Sequence, residues 1–531
     1  MKRKLLRLVA LVLVLGLVFS GCTADSFFEK VSYFDEVAYD DMVYTRPDTE
    51  AFQAELDAAC QIAETSRDVD EIMDAVYDFY EIYDSYITNY NLSNIRYSAD
   101  LTDSYWEEEY NFCAENSATV DAGLEQLYCT LAKSPLREQL EGEDYFGEGF
   151  FLAYEEQTYD ETLVAMLDQE AALISRYYDL SDQALQAEYY SEEYFSTYGL
   201  QMEELFVEMI RLRQKMATYM GYDSFPEFAY DFYFVRDYTP DQAEAYLTRV
   251  GQVLYDPYVK LNASDVWDYG YPFCNETQTF QFVKNAANAM GGTPKEAFGV
   301  LEANHLYDIA YGENKFNSSF ETYLWTYRQP FVFMNPQLGP LDKLTFGHEF
   351  GHFCNDYVCG GSYAGTDVAE IHSQTFEYLS LVYGEDTREL TQLKMADSLC
   401  TYVEQAAYAL FEHQVYGLTG DQLTAENVRA LYTRIGTEFG FDSWAWDSRD
   451  YVVTPHFFTQ PMYVVSYVVS NDVAMQIYEL ELEKPGAGLE LYEQCLQSQE
   501  SYILFFTEEY GLQSPFAENR LEEVAKLFGE K

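Results

Sequence analysis

Thr345-Phe346-Gly347-His348-Glu349-Phe350-Gly351-His352-Phe353 contains the pattern His-Glu-x-x-His, and the rest of the chain is organised around it. On a helix, residues i and i+4 share a face, so His348 and His352 can reach one metal ion. Glu349 sits beside that face, where it can take a proton from water held by the metal. Zinc in catalytic sites takes three protein ligands and one water, whose pKa falls to about 7. Two histidines therefore call for a third ligand. The best downstream candidate is Glu370, in Val368-Ala369-Glu370-Ile371-His372-Ser373-Gln374, with Glu377 one heptad later on the same helical face. The chain has six histidines in 531 residues. Chance alone would then give about 0.01 such motifs, so the stretch is read as a metal-binding helix rather than as two histidines bonded near a core.

Upstream of the motif, Gln329-Pro330-Phe331-Val332-Phe333-Met334-Asn335 is short and apolar, and reads as a strand. A strand just before a metal helix can offer its edge to an extended peptide, or be a buried strand with no role in binding. Downstream, residues 357–366 form a loop containing Gly360, Gly361 and Gly365, and the helix carrying Glu370 follows. Helices resume from about 387 to 440. Further on, His456 follows the proline turn at Pro455, and Tyr463 and Tyr467 are one helical turn apart. Tyr hydroxyls or an imidazole N–H can donate to an oxyanion, although composition alone makes these tyrosines packing residues, since the chain has 50.

The remaining sequence sets the context. Met1-Lys2-Arg3-Lys4-Leu5-Leu6-Arg7 is basic, and Leu8 to Ser20 is an apolar run too short to span a bilayer as an ordinary helix. This is the layout of a secretory signal peptide, and its end, Val18-Phe19-Ser20-Gly21-Cys22, resembles a bacterial lipobox with Cys22 as the lipidated residue. The formal net charge is −60, and it becomes −64 without the first 21 residues, which carry four basic and no acidic groups. Such a charge argues against nucleic acid, whose binding rests on Lys and Arg. It suits a soluble ectodomain outside the cytoplasm. Eight cysteines follow Cys22 with no Cys-x-x-Cys, which argues against a thiolate zinc site. An oxidising location permits disulfides, but a chain of this size folds without them.

Residues 23 to about 48 look like an exposed, acidic linker. From there to about 225 the chain reads as helix after helix, with only Pro47 and Pro135 before Pro226. Tyr77, Tyr80, Tyr83, Tyr86 and Tyr90 recur at steps of three and four, the stripe of a core-facing helix. Glu107-Glu108-Glu109 reads as a solvated face. Thr239-Pro240-Asp241-Gln242 and Thr293-Pro294-Lys295-Glu296 each read as a helix start with a Thr cap. The chain thus divides into a signal segment at 1–21, a linker at 22–48, an N-terminal helical lobe at 49–205 and a catalytic region at 206–531.

Tyr327-Arg328-Gln329-Pro330-Phe331-Val332-Phe333-Met334-Asn335 running into Thr345–His352 resembles the thimet oligopeptidase and oligoendopeptidase F family of zinc metallopeptidases. The likeness extends to Ala369-Glu370-Ile371-His372-Ser373-Gln374-Thr375-Phe376-Glu377 and to His456-Phe457-Phe458-Thr459-Gln460-Pro461-Met462-Tyr463-Val464-Val465-Ser466-Tyr467. Gly221-Tyr222-Asp223-Ser224-Phe225 and Arg236-Asp237-Tyr238-Thr239-Pro240 share it. The resemblance implies a mostly α, two-lobed helical fold with a deep central channel and a small β element beside the zinc helix. It implies one Zn2+ held by His348, His352 and Glu370, with Glu349 as general base and then general acid. His456, Tyr463 and Tyr467 take the place of the transition-state donors. Two positions depart from the family pattern. Asn317-Ser318-Ser319-Phe320-Glu321 stands where a Gly-Gly pair is common, and His372 stands where Pro or Ala is usual.

The function expected is zinc-dependent hydrolysis of oligopeptides by a lipid-anchored oligoendopeptidase on the extracytoplasmic face of the cell membrane, held through Cys22. A non-catalytic peptide-binding lipoprotein of the same fold is one alternative. An intact general base argues against it. A zinc carboxypeptidase is the other.

Overall fold

The computed structural model describes residues 37–529, apart from 143–144, 148, 153, 156–158, 185–190, 263–265, 267–272, 362–363 and 442–445. The signal segment, Cys22 and the first part of the linker lie outside the described residues. Among the described residues no helix is long and apolar enough to cross a membrane, and Cys60, Cys113, Cys274, Cys354, Cys400 and Cys495 form no disulfide.

The fold is mostly α. Helices α1 (Thr49–Thr65), α2 (Val69–Ala99) and α3 (Ser104–Ala132) pack on one another. Asp48, Asp68 and Asp103 cap them, each accepting from first-turn backbone N–H groups. They enclose a first core that runs from Phe52 to Tyr154. A larger second core takes over at α4 (Glu161–Ala184) and α5 (Leu200–Tyr219). It continues through α6 (Phe225–Phe232), α7 (Pro240–Asn262), α8 (Glu276–Met290) and α9 (Gly292–Ala303). Two cores on one chain give two lobes, and α2 joins them, since Leu92 and Ile95 near its C-terminal end belong to the second core.

Three short strands follow: β1 (Tyr307–Asp308), β2 (Ser319–Leu324) and β3 (Gln329–Met334). The sheet order is β1-β3-β2, parallel on one side of β3 and antiparallel on the other. The strand read at 329–335 is therefore present, but it is the fully buried centre of the sheet. Its edges are both taken, and the outer strand beside the motif is β2. The buried reading of that strand is the one the structure shows, because a single strand's sequence does not reveal its neighbours. The C-terminal end of β2 is tied to the first lobe: Asn91 donates to the Tyr323 carbonyl at 2.8 Å, and Thr326 N–H donates to the Thr88 hydroxyl at 2.7 Å.

The remaining elements are α10 (Asp342–Cys359), α11 (Thr366–Tyr383), α12 (Arg388–Val415), α13 (Ala425–Glu438), the short helix Pro455–Thr459 and α14 (Val465–Glu483). Helix α11 is the centre of this region, packed against α10 on one side and α14 on the other. Three further helices, α15 (Ala487–Cys495), α16 (Ile503–Glu509) and α17 (Arg520–Gly529), close the chain.

Several sequence readings shift in the structure. From Val37 onward the linker segment is packed: Met42 is buried, Gln329 donates to the Val37 carbonyl and Arg96 to the Met42 carbonyl. Glu109 is not a solvated face. It is buried because Arg46 donates to both its oxygens at 2.7 and 2.9 Å and Tyr44 donates at 2.6 Å. Those donors, Arg46 above all, hold its carboxyl below the usual range despite burial. The tyrosine stripe on α2 does not stay on one face. Each three-residue step falls about 60° short of a full turn, so Tyr83 and Tyr86 are buried while Tyr77 is exposed. Thr239 and Gln242 do form the reciprocal cap of α7, whereas α9 starts at Gly292, ahead of Thr293.

Candidate active site

Helix α10 has two faces with different work. Phe346, Phe350 and Phe353 are fully buried at the spacing of one apolar stripe. Each such burial stabilises by roughly 1.5–3 kcal/mol, and this fixes the rotation of the helix. His348 and His352 fall on the other side, with buried Glu349 between them and Phe353. Gly351 sets the distance to α11. A Cβ built there would lie 2.6 Å from Ser373 Cα and 2.8 Å from the His372 carbonyl oxygen. The two backbones therefore touch, and Glu370 is carried up to the histidines.

One nitrogen of His348, one nitrogen of His352 and one oxygen of Glu370 all lie within 4.8 Å of one another. His348 Nε2 is 3.3 Å from Glu370 Oε2, and His352 Nε2 is 4.0 Å from Glu370 Oε1. Two ligands of a tetrahedral zinc, each at about 2.0–2.1 Å, stand about 3.3 Å apart. The donor set and its spacing fit that ion. Burial, and then the neighbouring imidazoles, holds His352 well below its ordinary pKa, leaving it neutral with a lone pair to give. Burial also pulls His348 down, but Glu370, Glu377 and Glu349 together outweigh it and raise the imidazole to about 9. Glu370 is itself raised by burial, offset by His348, Tyr463 and Ser373.

Glu377, the second carboxylate read on this face, does a different job. Its Oε1 accepts from His348 Nδ1 at 2.9 Å, and its Oε2 binds the buried ammonium of Lys394 at 2.7 Å. With Nδ1 bonded in this way, Nε2 is turned toward Glu370. A ligating histidine oriented through its second nitrogen is the usual arrangement in metal sites.

Glu349 is buried next to His348. Burial pushes its carboxyl up to about 7, with His348 and a hydrogen bond from Ser319 of β2 acting in the opposite direction. A carboxyl in that range can both take and return a proton near neutral pH. Glu321, also on β2, and Asp356 of α10 add two more carboxyls nearby. Burial and then Asp356 push Glu321 well above the carboxylate range.

His456, Tyr463 and Tyr467 come together at the same place. The His456 and Tyr467 rings make contact through Nε2 and the hydroxyl at 3.1 Å, and the three ring centroids are 5.3 to 5.7 Å apart. Burial lowers His456 to about 4, so it is neutral. Tyr463 differs from the reading of two tyrosines on one helical face. It lies in a turn before α14, just after Met462, whose φ is 72°. Its hydroxyl donates to Glu370 Oε1 at 2.5 Å. His372 is fully buried, and neither ring nitrogen has a hydrogen-bond partner. It is not among the residues whose donor atoms converge on Glu370.

Residues that the sequence reading did not assign hold this cluster. Arg213 is fully buried and donates to the carbonyls of Phe457 and Phe458, the two residues after His456. Its other partners are Glu170 at 2.5 Å and the Tyr416 hydroxyl at 3.2 Å. Glu412 accepts the Met462 N–H at 2.8 Å. No local signal marks these residues, because their partners are 43 to 245 residues away.

Comparison with known proteins agrees with the family resemblance on two grounds. Residues 39–159 match the Peptidase M3 N-terminal domain. The whole fold matches a solved structure assigned as oligoendopeptidase F, with a TM-score of 0.81 and 21% identity over 93% of this chain and 98% of the other. A Bacillus anthracis (strain Ames) protein with the same assignment matches at 0.78 and 21% over the same shares of the two chains. PZ peptidase A, solved with an inhibitor, matches at 0.79 and 19% over 93% and 99%. No curated protein sequence matches the chain. At these identities the shared property is the fold.

Proposed function

We propose that this chain is a zinc metallopeptidase that hydrolyses peptide bonds in oligopeptides. The observation that carries this reading is the convergence of His348, His352 and Glu370 within 4.8 Å, with Glu349 buried beside them and two tyrosines and a histidine facing the same point. The Peptidase M3 N-terminal domain match and the oligoendopeptidase-like fold support it.

His348, His352 and Glu370 would hold the ion, and His348 is kept in register by Glu377. When bound, zinc supplies Lewis acidity, polarising the scissile carbonyl and lowering the pKa of water. Glu349 takes the proton of the attacking water and then passes it to the leaving amine. Tyr467 directs its hydroxyl at the oxygen on which charge develops, with His456 holding that hydroxyl. Tyr463 holds Glu370. The outer strand β2 lies beside Glu349, and its edge can align an extended peptide by main-chain hydrogen bonds. A deep channel between the lobes, as the family resemblance implies, would admit such a peptide and exclude folded proteins.

The address belongs to the same proposal. The basic start, the short apolar run and Ser20-Gly21-Cys22 support a lipoprotein processed at Cys22 and held on the extracytoplasmic face. Cys22→Ala should leave membranes or stay unprocessed. Normal processing together with normal membrane fractionation of that variant would call for another anchor.

Digestion of a peptide blocked at its C-terminus, read by mass, tests the activity. Internal cleavage that stops with a chelator and returns with zinc is expected. Cleavage only of unblocked peptides, one residue at a time, would favour the carboxypeptidase. Peptide binding without any cleavage would favour the non-catalytic peptide-binding lipoprotein, a reading that the buried Glu349 argues against.

A further inference from the structure

Arg236 lies in the turn between α6 and α7, more than 100 residues before the metal helix, and its side chain is 1% exposed. Its backbone is fixed: Arg236 N–H donates to the Tyr230 carbonyl at 2.9 Å, and Val235 before it holds φ at 46°. The guanidinium lies against Tyr230 and Phe234, with its carbon 4.4 and 4.2 Å from their ring centroids. Its donors are divided among three elements. Nε donates to Asp367 Oδ1 at 3.3 Å, Nη1 to the Met462 carbonyl at 2.9 Å and Nη2 to the Ser466 hydroxyl at 2.8 Å. Ser466 in turn donates to Asp367 Oδ1 at 2.5 Å, and Tyr238 donates to Asp367 Oδ2 at 2.8 Å.

These partners bracket the site. Asp367 is in the first turn of α11, three residues before Glu370. Met462 immediately precedes Tyr463, and Ser466 immediately precedes Tyr467. One planar cation thus ties the helix that carries Glu370 to both ends of the segment that carries the tyrosines. The separation that it sets is the one spanned by the Tyr463–Glu370 hydrogen bond. We propose that Arg236 is a positioning residue for the metal site, acting through Tyr463 on Glu370 and through Ser466 on Tyr467. A lysine would keep the charge but not the flat, three-way fork.

This inference rests on the zinc-peptidase reading, and its test has a readout separate from activity. Zinc affinity is measured by chelator competition for the wild type, Arg236→Lys, Tyr463→Phe and the double variant. Losing an outer contact to a metal ligand typically costs 10–100-fold in affinity, so Arg236→Lys should bind zinc about tenfold more weakly. The double variant should bind about as well as the weaker single one, because both changes break one path. Wild-type affinity in Arg236→Lys, or losses that multiply in the double variant, would overturn the proposal. A role in stability alone lowers the melting temperature and leaves zinc affinity unchanged. If Arg236→Lys does not fold, Arg236→Gln is judged by the same two criteria. A wild-type chain that binds zinc but cleaves no peptide would remove the peptidase reading, and zinc affinity alone would then decide the role of Arg236.

Discussion

The hydroxyl of Tyr463 donates to Oε1 of Glu370 across 2.5 Å, while the hydroxyl of Tyr467, four residues later, meets His456 and not a ligand. The two tyrosines are therefore not equivalent. On the proposed reading, losing the first hydroxyl frees a metal ligand, and losing the second removes a donor from the reacting oxygen. Tyr463→Phe should weaken zinc binding, by about tenfold if it behaves as other outer contacts do. Tyr467→Phe should keep its zinc and lower kcat by about 10²–10³-fold with little change in KM, as expected for a contact made only in the transition state. Steady-state kinetics and zinc titration on the two variants check this. A lower melting point with unchanged kcat in Tyr467→Phe would leave that tyrosine as a packing residue.

Glu377 is the next test, because it holds His348 without facing the metal position. Glu377→Gln keeps the size but no longer matches the buried Lys394 ammonium, and its amide cannot accept from Nδ1 as strongly. Zinc affinity should fall about 10–100-fold. A variant that binds zinc as the wild type does would show that the 2.9 Å contact is incidental.

Gly351 makes a prediction whose sign runs against helix propensity. Ala is favoured over Gly inside a helix by about 1 kcal/mol. At Gly299, which is exposed with nothing near a built Cβ, Gly299→Ala should accordingly stabilise. At Gly351 the new methyl would meet the α11 backbone, which cannot move like a side chain. Gly351→Ala should lower the melting temperature and separate Glu370 from the histidines, with weaker zinc binding. Equal gains at the two glycines would refute the close approach of the helices.

Much of the site could be read in sequence because its parts obey local rules. His348, Glu349 and His352 are fixed by helix geometry within one turn, and Glu370 lies on the next helix. The rest depended on residues far apart in the chain. Arg236 is 226 residues from the carbonyl that it holds, and Arg213 is 244 from the Phe457 carbonyl. Glu109 looked solvated because its partner Arg46 is 63 residues away. Tyr463 looked helical because spacing alone does not report the positive φ at Met462. Which strand offers an edge stayed open because pairing is a property of two strands, and the pattern at 329–335 describes only β3.

The central claim is that Glu349 moves the proton at a zinc site. The direct measurement is the cleavage rate of an internally quenched peptide by the wild type and by Glu349→Gln, each first shown by metal analysis to carry one zinc per chain. Glu349→Gln leaves all three ligands in place, so the account predicts retained zinc with a rate lower by about 10²–10⁴-fold. A zinc-loaded Glu349→Gln that cleaves within a few-fold of the wild type would contradict it.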